Sequence, residues 1–310
     1  MIVREVPMYS NLKTYLILFT GVFALSTSAI FARIAKAPSS ITAFYRLFLA
    51  AAVLTPVLLL HRPSRAELKT IPAGQWARIL AAGLFLALHY MLWFESLRYT
   101  SVASSTVLVC LQPLFSLAFE RLFSKKRIKK TALLGCIIAL CGSAVIGSGD
   151  FRISGSGLRG DLLAFVAAGV IALYFFVGER VRKELSAVTY SSLSYFFSAL
   201  LLLLYSLAQK EPFFGYSGQT WLAFGGLAVI STIGGQFVFN LLLRRVPASA
   251  VTMSILGEPI GTCILAYFIL RETILPQQFC GMVIIFLGMV IFFFPSAQKS
   301  ERGPALSKKT

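Results

Sequence analysis

The sequence predicts an all-α polytopic membrane protein, with ten transmembrane helices arranged as two inverted five-helix repeats. Three observations lead there. Of its 310 residues 57% are hydrophobic and only 13% charged, with mean hydropathy +0.79. A soluble domain carries about 45–50% apolar and about 25% charged residues, so this chain has too little polar surface for a water-soluble globule. A soluble enzyme is excluded, and so is disorder, which requires low hydrophobicity. Second, apolar runs of bilayer-spanning length, about 20 residues, recur along the whole chain. Third, the chain resembles itself at a fixed offset, with an odd number of spans between equivalent points.

Taken in order, the spans are 14–33, 41–60, 77–97, 101–120, 131–148, 160–178, 189–208, 219–243, 248–270 and 275–295. The first contains Ser26, Ser28 and Ala29, small residues that a signal-peptide cleavage site would use. Its apolar run exceeds a typical h-region and similar spans follow, so it reads as a retained helix. Gly, Ser and Thr dilute the fourth and fifth spans, as is normal where membrane helices pack closely. Continuous runs exclude a β-barrel, whose strands alternate over about 10 residues. The longest connections, near 61–76, 149–160 and 209–219, run about a dozen residues and read as loop alone.

The 29 basic residues against 12 acidic ones give a net charge of +17. In a soluble protein that excess would suggest nucleic acid; here it reports orientation. Ten spans put both termini on one side. The loops of that side hold 21 Lys and Arg, including Arg62, Arg65, Lys69 and the run Lys125–Lys130. The other side holds seven: Arg33, Lys36, Arg98, Arg152, Arg159, Lys210 and Arg271. This asymmetry fits the positive-inside rule, with both termini cytoplasmic in a bacterial inner or plasma membrane. The basic run is read as a topogenic loop against anionic lipid head groups, with no nucleic-acid partner. Cys110, Cys136, Cys141, Cys263 and Cys280 all fall in spans without a CxxC, and with two histidines no metal site or cofactor is indicated.

At an offset of 146, Leu97-Arg98 matches Leu243-Arg244, Thr106 matches Thr252, Pro113 matches Pro259, and Ile128 matches Ile274. Gly135, Ile138 and Gly142 match Gly281, Ile284 and Gly288. Pro and Gly are placed for backbone reasons, so their recurrence without a gap carries most weight. Five spans separate equivalent points, and an odd number inverts the second copy. The halves are 14–148 and 160–295. Inverted repeats are an architecture of secondary transporters, with the substrate near the midplane between halves and alternating access arising from exchange of the two conformations.

The stretch Ser96-Leu97-Arg98-Tyr99-Thr100-Ser101-Val102-Ala103-Ser104-Ser105, continuing to Leu111-Gln112-Pro113-Leu114-Phe115, resembles the fourth-helix motif of EamA-type permeases of the drug/metabolite transporter superfamily. Leu242-Leu243-Arg244-Arg245-Val246-Pro247-Ala248-Ser249 through Leu256-Gly257-Glu258-Pro259 is similar to the ninth-helix motif. Leu270-Arg271-Glu272 resembles the acidic turn closing that helix, whereas the first copy reads Ser124-Lys125-Lys126. Phe44-Tyr45-Arg46 is also family-like. The resemblance implies transport of small metabolites and leaves the substrate open.

Ionisable groups inside a membrane are expensive and default to functional candidates. Glu258 sits mid-span before Pro259, which cannot donate to the Ile255 carbonyl, so a carboxyl stands beside a kink. It is a candidate for binding a cation or amino group, or for exchanging a proton, against a buried acid that supports the kink. Gln112-Pro113 repeats the geometry without charge. His89, Tyr90 and Trp93 share one face of the third span and form either an aromatic wall for a planar solute or an interfacial belt. Trp76 and Trp221, at span starts, read as belt residues. Gln236 and Asn240 pair on the eighth span as readers of a polar solute or as interhelical glue. Ser26, Thr27 and Tyr174 complete the candidate substrate site. Arg46 is expected to pair with an acid such as Glu95 as a structural ion pair. The Gly135/Gly142 and Gly281/Gly288 faces are expected to seal each half or to form a homodimer seam.

No GxxxxGK[ST] motif occurs, so the reading is a secondary transporter rather than an ATP-driven one. An exporter of amino acids or related metabolites, with Glu258 and His89 as proton-coupling candidates, comes first. Uptake of a vitamin or nucleotide-like solute is the alternative. An integral-membrane enzyme acting on a lipid or isoprenoid phosphate would need catalytic groups gathered at one interface, and this chain scatters its polar residues at midplane depth.

Overall fold

The computed structural model describes residues 12–293, apart from 97, 101, 149–156 and 272. Among the described residues, 10 helices are long and apolar enough to cross a membrane. The first repeat comprises α1 (Leu12–Ala35), α2 (Ser39–Leu60), α3 (Arg62–Thr70), α4 (Ala73–Ser96), α5 (Val102–Val109), α6 (Gln112–Ser124) and α7 (Lys130–Gly147). The second comprises α8 (Gly157–Val181), α9 (Ala187–Ala208), α10 (Gly218–Gly226), a π-helical stretch (Leu227–Phe237), α11 (Val238–Leu242), α12 (Ala248–Ile255), α13 (Glu258–Leu270) and α14 (Pro276–Phe293). The terminal face is the one where α1 begins and α14 ends; the far face is its opposite.

Two expectations change. The 61–76 connection is not loop alone. Pro63 at its start and a run of Arg65, Ala66, Glu67 and Lys69 favour the helix α3, since Pro is preorganised for a first turn. The Glu67 carboxylate ties this helix to the start of α9, accepting from Ser186 N (3.1 Å) and Thr189 Oγ1 (2.6 Å). The fourth and ninth spans are not kinked rods but pairs of half-helices, α5/α6 and α12/α13, broken at 110–111 and 256–257. These breaks lie 146 residues apart. Pro113 and Pro259 lack the N–H that would carry the helix through, and short turns at Leu111 and Gly257 replace it.

Symmetry extends to finer detail. The half-helices α6 and α13 end at Lys125 (φ +53°) and Arg271 (φ +55°), left-handed caps that are again 146 apart. Their N–H groups bond to the Glu120 and Ala266 carbonyls, five residues back in both copies.

The glycine faces belong neither to separate halves nor to an unpaired surface. They join the repeats, because α7 packs along α14. A Cβ on Gly135 would lie 2.5 Å from the Gly288 carbonyl oxygen, and one on Gly142 would lie 2.6 Å from Ile285 N. Only glycine permits backbones to come this close. Around the girdle, Leu134, Phe286 and Leu122 are exposed, as lipid-facing residues are.

Candidate functional site

The site is built where α1, α2 and α4 of the first repeat meet α13 and the π-helical stretch of the second. Arg46 stands seven residues into α2, about 10 Å along the axis at 1.5 Å per residue. It does not pair with Glu95. Its Nε donates to Thr232 Oγ1 (2.8 Å) and its Nη1 to Ser28 Oγ (2.8 Å). Glu95 instead pairs with Arg98 at 3.2 Å, three residues along the chain. The reason is distance along the membrane: Glu95 sits at the far-face end of α4, one residue from its last, while Arg46 is buried deeper.

Thr232 is held by the π-helix. Its hydroxyl donates to the carbonyl of Leu227, five residues back (2.8 Å), leaving its lone pairs for Arg46. Such π stretches interrupt α-helices at functional positions. The guanidinium also lies 5.2 Å from the Tyr90 ring centroid, a cation–π contact. Two of the five guanidinium donors are thus used, which leaves one on Nη1 and two on Nη2.

Glu258 opens α13. A carboxylate is favoured there by the half-helix dipole, and Pro259 behind it removes a competing donor. The side chain is half-buried and forms no ion pair among the described residues. It lies within electrostatic reach of Arg46, Tyr90 and the thiol of Cys110, which sits at the break of the fourth span. Arg46 and Glu258 therefore lie within electrostatic reach of one another and form no ion pair among the described residues.

Ser26 supports this arrangement. Its hydroxyl lies 2.9 Å from the Val22 carbonyl and 3.1 Å from that of Glu258, and it packs where Gly261 has no Cβ. Thr27 bonds Ser231 at 2.8 Å, pinning α1 to the π-helical stretch. Gln112, buried at the first turn of α6, holds the place equivalent to Glu258. On α4, the His89 and Trp93 rings lie parallel (6.2 Å, 11°), and Tyr90 meets His89 at 5.2 Å. His89 Nδ1 lies 3.1 Å from the Ala167 carbonyl; a carbonyl only accepts, so Nδ1 carries the proton. The Trp93 indole nitrogen is buried without a partner.

Tyr174, Gln236 and Asn240 gather separately, nearer the terminal face. Asn240 Nδ2 donates to Tyr174 Oη (2.7 Å) and lies 3.0 Å from Ser191 Oγ and 3.2 Å from Tyr195 Oη. The Asn240 Oδ1 and Gln236 Nε2 atoms are buried without partners. Of the residues outside the expected set, Arg46, Ser28 and Thr232 matter most. The available signal was Arg46 itself, a mid-span cation without an acid at helical spacing.

The two faces differ. A cavity of about 300 Å³ opens from the far face past Ser39, Glu95 and Tyr205 down to Tyr90, just above Arg46. The terminal face is bridged by hydrogen bonds that tie α6 and α8 to the start of α12. Glu179 accepts from Lys126 (3.1 Å) and Ala248 N (3.0 Å), and Glu120 accepts from Ser249 N (2.9 Å) with Lys126 at 3.6 Å. Arg182 is only 3% exposed, and burial beside Arg244 pulls its guanidinium down to about 10, so it stays charged.

Comparison with known proteins agrees with this architecture. The model of the EamA-like transporter family matches residues 12–148 and again 158–294. The uncharacterized transporter YwfM of Bacillus subtilis is 27% identical over 75% of this chain and 78% of its own length. YyaM of the same organism is 26% identical over 90% and 93%. The riboflavin transporter ImpX of Fusobacterium nucleatum is 24% identical over 60% and 64%. One solved crystal structure shares the fold at 18% identity with a TM-score of 0.78, covering 92% of this chain and 99% of that one. Ten spans, two family matches and transporter relatives place the chain as an integral membrane transporter, and it belongs to the EamA-like transporter family of the drug/metabolite transporter superfamily.

Proposed function

We propose that this transporter is a secondary active carrier of small zwitterionic metabolites of the amino-acid type, exporting them by alternating access with proton coupling at Glu258. The carrying observation is the opposed pair. Arg46 has free guanidinium donors, Glu258 has an unpaired carboxyl, and both stand mid-membrane around one centre. Each such charge costs about 2.5–3.5 kcal/mol on insertion scales, so leaving the two apart is expensive unless a solute bridges them. A substrate carboxylate would take the Arg46 fork, and an ammonium would take Glu258. A proton on Glu258 would compete with that ammonium, which couples the two movements. His89 is the second titratable group near the path. Export rests on the family resemblance. The 21-to-7 distribution of basic residues supports cytoplasmic termini in a bacterial inner or plasma membrane.

The test is transport of amino acids into liposomes by purified protein, with and without a pH gradient. Glu258→Gln is expected to weaken solute binding and to lose the response to the gradient. A Glu258→Gln protein that still responds to the gradient as the unaltered protein does would remove Glu258 from coupling. A second reading, uptake of a planar vitamin-like solute, is supported by the parallel His89 and Trp93 rings, the unpartnered indole N–H and the similarity to a riboflavin transporter. It predicts that riboflavin, rather than an amino acid, protects the protein against heating.

A further inference from the structure

The seal of the terminal face contains one residue whose surroundings have a counterpart at the open face. Arg182 follows α8 directly and folds back over the end of α11. Its Nε donates to the Asn240 carbonyl (2.9 Å), Nη2 approaches the Leu241 carbonyl (3.5 Å), and Nη1 donates to the Leu185 carbonyl. It thus covers the carbonyl end of the eighth span, where the helix dipole favours a cation.

The 146-residue offset carries each of these positions to the other face. Arg182 corresponds to Lys36, which follows α1 directly as Arg182 follows α8. Asn240 and Leu241 correspond to Phe94 and Glu95, and Gln236 to Tyr90. Phe94, Glu95 and Tyr90 all line the far-face cavity. Lys36, two residues before Pro38 of the cavity lining, is exposed, with a left-handed backbone (φ +44°). So one basic residue is inserted where the protein is closed, and its equivalent is withdrawn where it is open.

We propose that Arg182 and Lys36 are paired gating residues: Arg182 holds the terminal face shut by capping the Asn240 and Leu241 carbonyls, and Lys36 caps the Phe94 and Glu95 carbonyls when the far face closes. The two exchange roles during the cycle. The Glu95 side chain, now bonded to Arg98, adds an acidic partner for the Lys36 ammonium in the closed far face. At the terminal-face cap the acid within reach is Glu67, held by Ser186 and Thr189, and there Arg supplies more donors than Lys does. This inference rests on the alternating-access reading above.

Hydrogen exchange on the full chain in lipid nanodiscs tests it, because it reads both faces at once. Arg182→Ala is expected to speed exchange in segments 186–194 and 238–247 by about tenfold and to slow it in segments 36–45 and 88–96. Adding Lys36→Ala is expected to cancel the far-face slowing while the terminal face stays fast. Local loosening at the terminal face without far-face protection would mean Arg182 is a helix cap alone, and the proposal falls. If Arg182→Ala does not fold, Arg182→Lys is expected to shift both faces in the same direction by a smaller factor; absence of a reciprocal shift overturns the proposal equally. Liposome transport is measured in parallel. Retained transport without reciprocity removes the gate and leaves the carrier reading, whereas exchange that rises on both faces of the unaltered protein when solute is added contradicts alternating access itself.

Discussion

The two halves of the molecule share a backbone and divide the chemistry. In the fourth and ninth spans, the breaks, the prolines and the left-handed caps recur at one offset. The side chains at the functional positions do not. The first half supplies the cation Arg46 and the neutral Gln112, and the second supplies the anion Glu258 and the amide Asn240. Geometry is held in duplicate because both conformations of a carrier require it. Charge is held singly, as the proposed solute with two unlike ends would require.

That contrast can be broken most severely at the seam. Gly142→Val would place a side chain against the Ile285 nitrogen and the Gly281 oxygen, both backbone atoms that cannot yield. A loss of at least about 3 kcal/mol is expected, at the upper end of overpacking, and is read as a large drop in the melting temperature. Gly74→Ala, where nothing lies within 4 Å, is the control and should leave melting unchanged.

Next comes the charge pair. Arg46→Gln is expected to weaken binding of the transported solute by about 2 kcal/mol, roughly 30-fold, by titration calorimetry. Combining Glu258→Gln with Gln112→Glu moves the acid to the other half. If an acid in either half sufficed, gradient-driven transport would return; it is expected to stay lost, because it is position 258 that lies within electrostatic reach of Arg46. Asn240→Leu strands the hydroxyl groups of Tyr174, Tyr195 and Ser191, and a destabilisation of about 1–3 kcal/mol is expected on heating. The smallest effect belongs to Glu95→Gln. That pair is solvent-exposed and local, so no shift in melting is expected.

Much of this was legible beforehand, for reasons that differ by feature. Hydropathy showed the spans because a bilayer imposes one length on every helix. The Pro113 and Pro259 spacing showed the repeat because a missing N–H acts on the backbone whatever surrounds it. Hydropathy could not separate a kink from a break at Leu111 and Gly257, since both halves are equally apolar. The π-helical stretch left no trace, as its cause is tertiary: Arg46 and the packing of α1 against residues such as Gly235. Glu258 was recognisable as a lone mid-span acid. Its cationic counterpart was assigned the wrong partner, because sequence spacing does not reveal depth across helices. Ser26, Tyr174 and Asn240 were found as polar residues in apolar runs, but only the structure separates Ser26, braced against α13, from the Asn240 cluster nearer the terminal face.

The seam between α7 and α14 has one more consequence. Its contacts exchange under the repeat: Gly135 meets Gly288 while Gly142 meets Gly281, and adding 146 to the first member of either pair yields the second member of the other. Pair exchange of this kind is the signature of an isologous interface between two identical subunits related by a two-fold axis. The seam thus has the form of a two-fold interface between two antiparallel five-helix units, carried inside a single chain. In such a dimer every substitution would occur twice, and Arg46 could not face a lone Glu258. A single chain carries no such constraint, so its two halves can hold unlike charges.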